Sequence, residues 1–285
     1  MMQVARLAPK VLGAEATWLV ERFVGSKQGA DGGFQDRGGR SDLYYTVFAL
    51  DALSALQVPL PLDAVRGFVA RFGDGLGLDF VHLCCLARIW AHFAERERPA
   101  GLLRGVEGWR TPDGGYHQRP GAAQTSAYGA MLAGSAYLDW RRRPPRLWKL
   151  AWSLRALRTA DGAWANEPGL AEGSTTATAA AVTFYRHARL TPPPELGTWL
   201  LAQSHPEGGF KAFPRAPMPD LLSTAVALHA LDGIQADFRH LKDQLLDYVD
   251  SLWSAEGGFH GHWADDELDL EYTYYGLLAL GHLAL

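Results

Sequence analysis

The chain has 285 residues, with 27 Lys and Arg against 31 Asp and Glu, a formal net charge of −4 with histidine neutral. That balance excludes the basic footprint of a nucleic-acid-binding domain, and 48% hydrophobic with 20% charged residues excludes the polar composition of a disordered chain. Cys84 and Cys85 are adjacent in an apolar run, where they neither staple distant loops nor supply a C-x-x-C metal spacing, and no stretch reaches 18 uninterrupted apolar residues; a soluble, cytoplasmic protein of a reducing compartment is expected.

In chain order, the N-terminal segment places Leu12, Ala16, Leu19 and Phe23 at i, i+4, i+7 and i+11, with Glu15, Glu21 and Arg22 on other faces. This spacing predicts a surface helix with one apolar stripe. The phrase Asp31-Gly32-Gly33-Phe34 follows, and Leu43 to Leu50 then runs apolar almost all round, which predicts a helix buried on every side. The same grammar returns at Asp113-Gly114-Gly115-Tyr116, Asp161-Gly162-Ala163-Trp164, Glu207-Gly208-Gly209-Phe210 and Glu256-Gly257-Gly258-Phe259. The five aromatics lie 82, 48, 46 and 49 residues apart, and the degenerate Gly73-Asp74-Gly75-Leu76-Gly77 fills the double-length gap, so six repeats are expected. Proline clusters at Pro59 and Pro61, Pro99, Pro144 and Pro145, and Pro192 to Pro194 punctuate the chain at about the same period.

Six surface helices alternating with six buried ones predict an all-α fold of two concentric layers, an (α/α)6 toroid or barrel in which residues 1–285 form a single domain. The glycines are expected as left-handed C-caps that let the chain reverse inward, with the neighbouring aromatic wedged between surface helices. The first and last buried segments, SDLYYTVFALDALSAL and LDLEYTYYGLLALGHL, look alike, as adjacent walls of a closed ring would; an open solenoid would need polar caps.

Acidic residues recur near the start of the buried segments at Asp42, Asp79, Glu172, Asp220 and Asp269, missing only around Ala122. Helix capping, at about 1 kcal/mol each, is a simpler account of this series than a catalytic ring. His187, His229 and His282 on apolar segments read as satisfied core residues, and Cys84 and Cys85 as packing residues. The run Asp265-Asp266-Glu267 admits a paired-carboxylate glycosidase site, although exposed carboxylates are ordinarily just solvated.

Gln28-Gly29-Ala30-Asp31-Gly32-Gly33-Phe34 fits a Q-x3-G-x-[FW] signature, with Arg110, Arg158 and Trp253 replacing the glutamine at the same spacing in the third, fourth and sixth repeats. On these residues the chain resembles, over essentially its whole length, the prenyltransferase and squalene-cyclase repeat family. That family includes the β subunits of protein prenyltransferases and the toroidal domains of class II terpene cyclases. The resemblance implies a central cavity for an isoprenoid and, on the transferase side, a helical α-subunit partner. The transferase zinc positions align with Asp220, Leu222 and Tyr272, and leucine cannot ligate zinc, so zinc is disfavoured. The cyclase D-x-D-D-T-A motif aligns with Glu172 to Ala177 and Asp220 to Ala225, where hydroxyl or leucine side chains stand in the proton-donor positions and are too weak as acids.

One further match lies elsewhere. Gly32-Gly33-Phe34-Gln35-Asp36-Arg37-Gly38-Gly39-Arg40 is similar to the transferase diphosphate phrase G-G-F-Q-x-R-x-x-K, and Asp79-Phe80-Val81-His82-Leu83 to its D-x-F-H-T. This implies that Arg37 and Arg40 bind an anionic head group near His82 and Asp42, that His82 or Asp42 handles a proton or metal, and that magnesium arrives with the diphosphate. The alternative is that both arginines are loop charges in water. Tyr44, Tyr45, Phe48, Tyr128, Tyr272 and Tyr275 are the candidate substrate-binding residues, with Tyr137 and Tyr274 in the same segments. These rings either sheathe a polyprenyl chain or fill the barrel with their hydroxyls hydrogen-bonded. The expected function is an isoprenoid-handling, transferase- or cyclase-like enzyme. The alternatives are a non-catalytic hydrophobe-binding or scaffolding toroid and a glycoside-active (α/α)6 enzyme.

Overall fold

A computed structural model describes residues 1–285. A short helix, α1 (Met2–Ala5), precedes six pairs, each a surface helix followed by a buried one. The pairs are α2 (Pro9–Ser26) with α3 (Leu43–Leu56), α4 (Leu62–Ala70) with α5 (Phe80–Trp90), α6 (Leu102–Glu107) with α7 (Ala127–Asp139), α8 (Leu147–Arg155) with α9 (Thr175–His187), α10 (Leu196–Leu201) with α11 (Leu221–Gly233), and α12 (Lys242–Ser251) with α13 (Leu270–Leu283). The proline clusters fall in the linkers that lead into α4, α6, α8 and α10, where a fixed φ and a missing N–H favour entry into a helix over its continuation. The apolar stripe expected of α2 is displaced. The helix breaks at Gly13 (φ 76°), and Val20, Phe23 and Val24 are its buried residues while Leu12, Ala16 and Leu19 stay half-buried.

The chain divides into two compact units, Met1–Pro61 with Pro194–Leu285, and Leu62–Pro193. In the first, the buried helices α11, α13 and α3 lie side by side in that order, with α1, α2, α10 and α12 packed on them. The last helix of the chain is thus the neighbour of its first buried one. In the second unit α5, α7 and α9 are adjacent in the same way, with α4, α6 and α8 packed on them.

The glycine phrases have a different job from the one expected. None caps a helix; each sits at the tip of a tight hairpin a few residues beyond the surface helix. The bridges Gln28 to Phe34, Arg110 to Tyr116, Arg158 to Trp164, Ser204 to Phe210 and Trp253 to Phe259 close the five hairpins. Gly257 shows why the residue is glycine: its φ is 98°, and an added Cβ would run into the backbone carbonyl of Leu19 on α2. The hairpin of the last repeat therefore abuts the first surface helix, as the Gly208 tip abuts α12 at Gln244. The signature glutamine closes the same turn from the side, because Gln28 Nε2 donates to the Gly32 carbonyl at 3.2 Å and Arg158 Nη2 to that of Gly162 at 3.2 Å. An arginine fork satisfies the same acceptor, which is why the motif tolerates it.

The aromatic of each phrase is fully buried, and in four of the five hairpins its backbone N–H is satisfied by a threonine of the following helix, whereas after Tyr116 the corresponding place is held by Ala130. Phe34 N donates to Thr46 Oγ1 at 2.9 Å, Trp164 N to Thr178 Oγ1 at 3.1 Å and Phe210 N to Thr224 Oγ1 at 2.9 Å. Thr46 and Thr224 in turn donate to the carbonyls of Asp42 and Asp220, at 2.6 and 2.7 Å. Thr46→Val keeps the shape and leaves a buried N–H without its acceptor, so urea unfolding is expected to show a loss of about 2 kcal/mol. Val47→Ile, beside it in sequence, is the control for general disturbance of α3.

Four acids cap as expected: Asp42 accepts from Tyr44 N and Tyr45 N, Asp79 from His82 N, Asp220 from Ser223 N and Asp269 from Tyr272 N. Glu172 does not. Ser174 caps α9 and Ser126 caps α7, small hydroxyls reaching the first-turn N–H groups where the longer glutamate stands two residues too early. Cys84 and Cys85 are buried thiols outside any disulfide, and desolvation drives the Cys84 pKa well up, which makes both packing residues. His229 and His282 are buried together, Nδ1 to Nε2 3.1 Å, whereas His187 is exposed at the end of α9 rather than in the core.

Candidate functional site

The first turns of α3 and α13 carry most of the chemistry within the first unit. Both helices are apolar nearly all round, yet Tyr44, Tyr45, Glu271, Tyr272 and Tyr275 remain only half-buried. The rings associate. Tyr44 meets Tyr45 and Phe48 edge-on with centroids 5.7 and 4.9 Å apart, and Phe48 lies 5.6 Å from Tyr275 and 5.8 Å from Tyr274. Burial pushes the Tyr45 and Tyr272 phenols up to about 12, with Asp269 and Glu271 adding to it in both, so they stay neutral and offer ring faces and hydroxyls. Tyr128 begins α7 in the second unit, half-buried, its backbone N–H on Asn166 Oδ1 at 2.9 Å. Tyr137 is not a wall residue: it is buried and donates to Glu107 at 2.7 Å in a network with Arg110 and Tyr116.

Glu271 is the group that sequence reasoning missed. Tyr44 Oη donates to Glu271 Oε1 at 2.6 Å, tying α3 to α13. Desolvation raises the Glu271 carboxyl to about 7; the Tyr44 hydrogen bond opposes this and the charge of Asp269 adds to it. Near neutral pH this carboxyl therefore exchanges a proton, beside a cluster of aromatic faces. Its signal in the sequence was slight: one further acid, two residues after the cap Asp269, in the otherwise apolar opening of LDLEYTYY.

Arg37 is occupied. Its Nη1 and Nη2 grip Asp265 at 3.0 and 2.8 Å, its Nε donates to Asp269 Oδ2 at 2.7 Å, and Glu267 lies 3.7 Å away. Tyr272 stacks under the guanidinium at 5.6 Å. One cation among three carboxylates is a clasp with a net negative surround, poorly suited to a diphosphate. Arg40 extends into solvent with its side chain 86% exposed, 3.4 Å from Asp36, as a loop charge does. Asp42 turns its Oδ1 to the N–H groups of Tyr44 and Tyr45, at 2.8 and 3.1 Å. His82 belongs to the second unit, its Nδ1 2.7 Å from the Oδ2 of its own cap Asp79.

The acidic run does not make a glycosidase pair. Burial raises Asp265, but the Arg37 fork and the N–H groups of Gly261 and Glu267 outweigh it and hold the carboxyl down to about 2, so it cannot serve as a general acid near neutrality. The positions aligned with transferase zinc ligands also fail the chemistry. Asp220 faces Ser223 N and Oγ, each at 2.7 Å, Leu222 has no donor atom, and no group of three or more His, Cys, Asp or Glu could hold a metal ion. Two cavities lie apart from these residues. One of about 330 Å³ sits between α2 and α12 against Leu12, Ala16 and Trp253, and one of about 370 Å³ lies under the Trp109 to Ala122 loop. No helix is long and apolar enough to cross a membrane.

Similar solved structures include a protein geranylgeranyltransferase-I of Candida albicans complexed with GGPP, at 15% identity and TM-score 0.63 over 94% of this chain and 90% of that one. The apo type II terpene cyclase MstE of Scytonema matches at 12% identity and TM-score 0.61, over 99% of this chain and 98% of that one. A variant of the same cyclase in complex with geranylgeranyl dihydroxybenzoate, its substrate, matches at 12% and 0.59, over 100% and 98%. No curated protein matches the sequence. These likenesses show the α/α toroid fold that the repeats predict. The family described as the prenyltransferase alpha-alpha toroid domain matches residues 15–73 and 191–283, more than half of the chain, and it is to this family that the protein belongs.

Proposed function

We propose that this toroid takes a polyprenyl chain against the rings of Tyr44, Tyr45, Phe48 and Tyr275 and processes it by acid–base chemistry at Glu271, in the manner of a terpene cyclase rather than a zinc transferase. The observation that carries this reading is the Glu271 carboxyl, held near 7 and hydrogen-bonded to Tyr44 beside the aromatic cluster. A neutral carboxylic acid delivers a proton to an alkene carbon or epoxide oxygen, the flanking rings stabilise the resulting cation by roughly 0.5–2 kcal/mol each, and the carboxylate then takes a proton back. The net change is an isomerisation or cyclisation, with protons balanced and no oxidant required. Two of the structural neighbours are complexes with a geranylgeranyl compound, which supports a C20-sized chain as the first ligand to try. Neither Arg37 nor Arg40 is needed as a diphosphate anchor, so the chain is expected to bind without a divalent metal.

Equilibrium binding of geranylgeraniol and geranylgeranyl diphosphate, each with and without magnesium, tests this reading. Saturable binding that weakens about tenfold in Tyr45→Ala is expected, since withdrawing some 50–60 Å² of apolar contact from this half-buried ring at about 25 cal/mol per Å² corresponds to that factor. Tyr275→Ala serves where Tyr45→Ala lowers stability. Absence of saturable binding, or affinity unchanged in both variants, would overturn the reading.

A further inference from the structure

The exposed face of α8 sets two large apolar rings among basic residues. Between positions 140 and 160 the chain carries seven basic residues, Arg141, Arg142, Arg143, Arg146, Lys149, Arg155 and Arg158, and no acid, within a protein of net charge −4. In the same stretch Trp148 and Trp152, one helical turn apart, stand 70% and 69% exposed while Leu150 and Leu154 face the core. Lys149 Nζ lies 5.4 Å from the Trp148 ring and the Arg155 guanidinium 5.8 Å from that of Trp152. Burial of the opposite face leaves the two indoles no inward role, and a largely exposed pair of tryptophans on one helix face is not explained by folding.

We propose that this face of α8 docks on the interface of an anionic lipid bilayer. Indoles settle at the headgroup level of a membrane, apolar ring inward and N–H in the wet layer, and flanking arginines and lysines add attraction to acidic lipids. The size of the patch separates lipid from protein as its occupant. Two tryptophans cover roughly 300–500 Å², below the roughly 800 Å² that each partner contributes to a stable protein–protein interface, whereas a bilayer supplies charge and apolar depth to each residue separately. The proposal stands independently of the chemistry at Glu271, because it concerns a surface of the second unit and needs no substrate.

Co-sedimentation of the full chain with vesicles tests it. Vesicles of 30% phosphatidylserine in phosphatidylcholine are expected to pellet the protein at low salt, with at least tenfold weaker partitioning onto pure phosphatidylcholine and a progressive loss as salt shortens the Debye length. Trp148→Ser with Trp152→Ser is expected to weaken partitioning about tenfold or more, and Arg143→Glu with Arg155→Glu to do the same. All four side chains project from the surface, and a thermal melt checks that the variants fold. No pelleting of the wild type with anionic vesicles overturns the proposal, as does equal pelleting of the double-tryptophan variant. Binding of an oligonucleotide or self-association of the chain, lost in the same variants and unaccompanied by vesicle binding, would reassign the patch to that partner.

Discussion

Glu271→Gln is expected to remove a pH dependence of stability and to stop product formation, while prenyl binding stays within about threefold of wild type. A carboxyl whose pKa rises from 4.5 unfolded to about 7 folded binds more protons in the native state between those values. The stabilisation contributed by Glu271 is therefore fully present below about pH 4.5, is lost as pH rises to about 7, and levels off above it. The size of that loss is roughly 2–3 kcal/mol, read as the difference between chemical denaturation at pH 5 and pH 8. The glutamine amide keeps the shape and can still accept the Tyr44 hydroxyl, so the variant is expected to be nearly flat over this window and more stable than wild type at pH 8. Product formation, followed by mass spectrometry on geranylgeranyl substrates, is expected to fall by about 10²–10⁴-fold, the usual worth of a positioned proton donor. Tyr44→Phe removes the hydrogen bond that opposes the upward shift, which moves the pH profile of turnover to higher pH without abolishing it. Turnover unchanged in Glu271→Gln places the chemistry elsewhere. Saturable binding with no product from the wild type replaces the enzyme with a hydrophobe-binding protein.

How much of this was legible in the sequence follows from the range over which each feature is encoded. The six helix pairs are local, since apolar spacing and proline punctuation act within about a dozen residues, and the pairs form where these signals put them even though the buried face of α2 shifts to Val20, Phe23 and Val24. Asp42 and Asp269 cap because a cap needs only the next turn of the same helix. Gly257 could be read as a turn residue, but not as the hairpin tip that Leu19 leaves without room, because Leu19 lies at the other end of the chain. The surroundings of the candidate site were hidden for the same reason. The spacing of Arg37 and Arg40 matched a diphosphate phrase, and nothing local announced that Asp265 and Asp269 would arrive beside Arg37. Glu271 looked like one charge in a helix until burial and the Tyr44 hydroxyl of another helix gave it its environment.

Arg37→Met is expected to cost about 2–3 kcal/mol of stability, the largest loss predicted for any single change in the first unit. The side chain of Asp269 is 4% exposed and that of Asp265 10%, so deleting the guanidinium leaves two nearly buried carboxylates without their cation. Breaking such a pair costs about 3–5 kcal/mol when it is fully buried; Arg37 itself is 31% exposed, and solvent reduces the figure. Asp265 fixes the pH window. Its pKa is lowered from 3.8 to about 2, so the stabilisation is complete above about pH 4 and is lost as pH falls toward 2. The acid limb of the wild-type stability curve is therefore steeper over that interval than the variant's, and Arg37→Lys, which keeps the charge but not the fork, falls between them. A double-mutant cycle with Asp265→Asn should return a coupling of about 1–2 kcal/mol, because the two groups share one bidentate contact. The outcome also decides between clasp and anion site. A clasp predicts that Arg37→Met alters affinity for geranylgeraniol and geranylgeranyl diphosphate by the same factor. An anion site predicts full stability and a selective loss for the diphosphate.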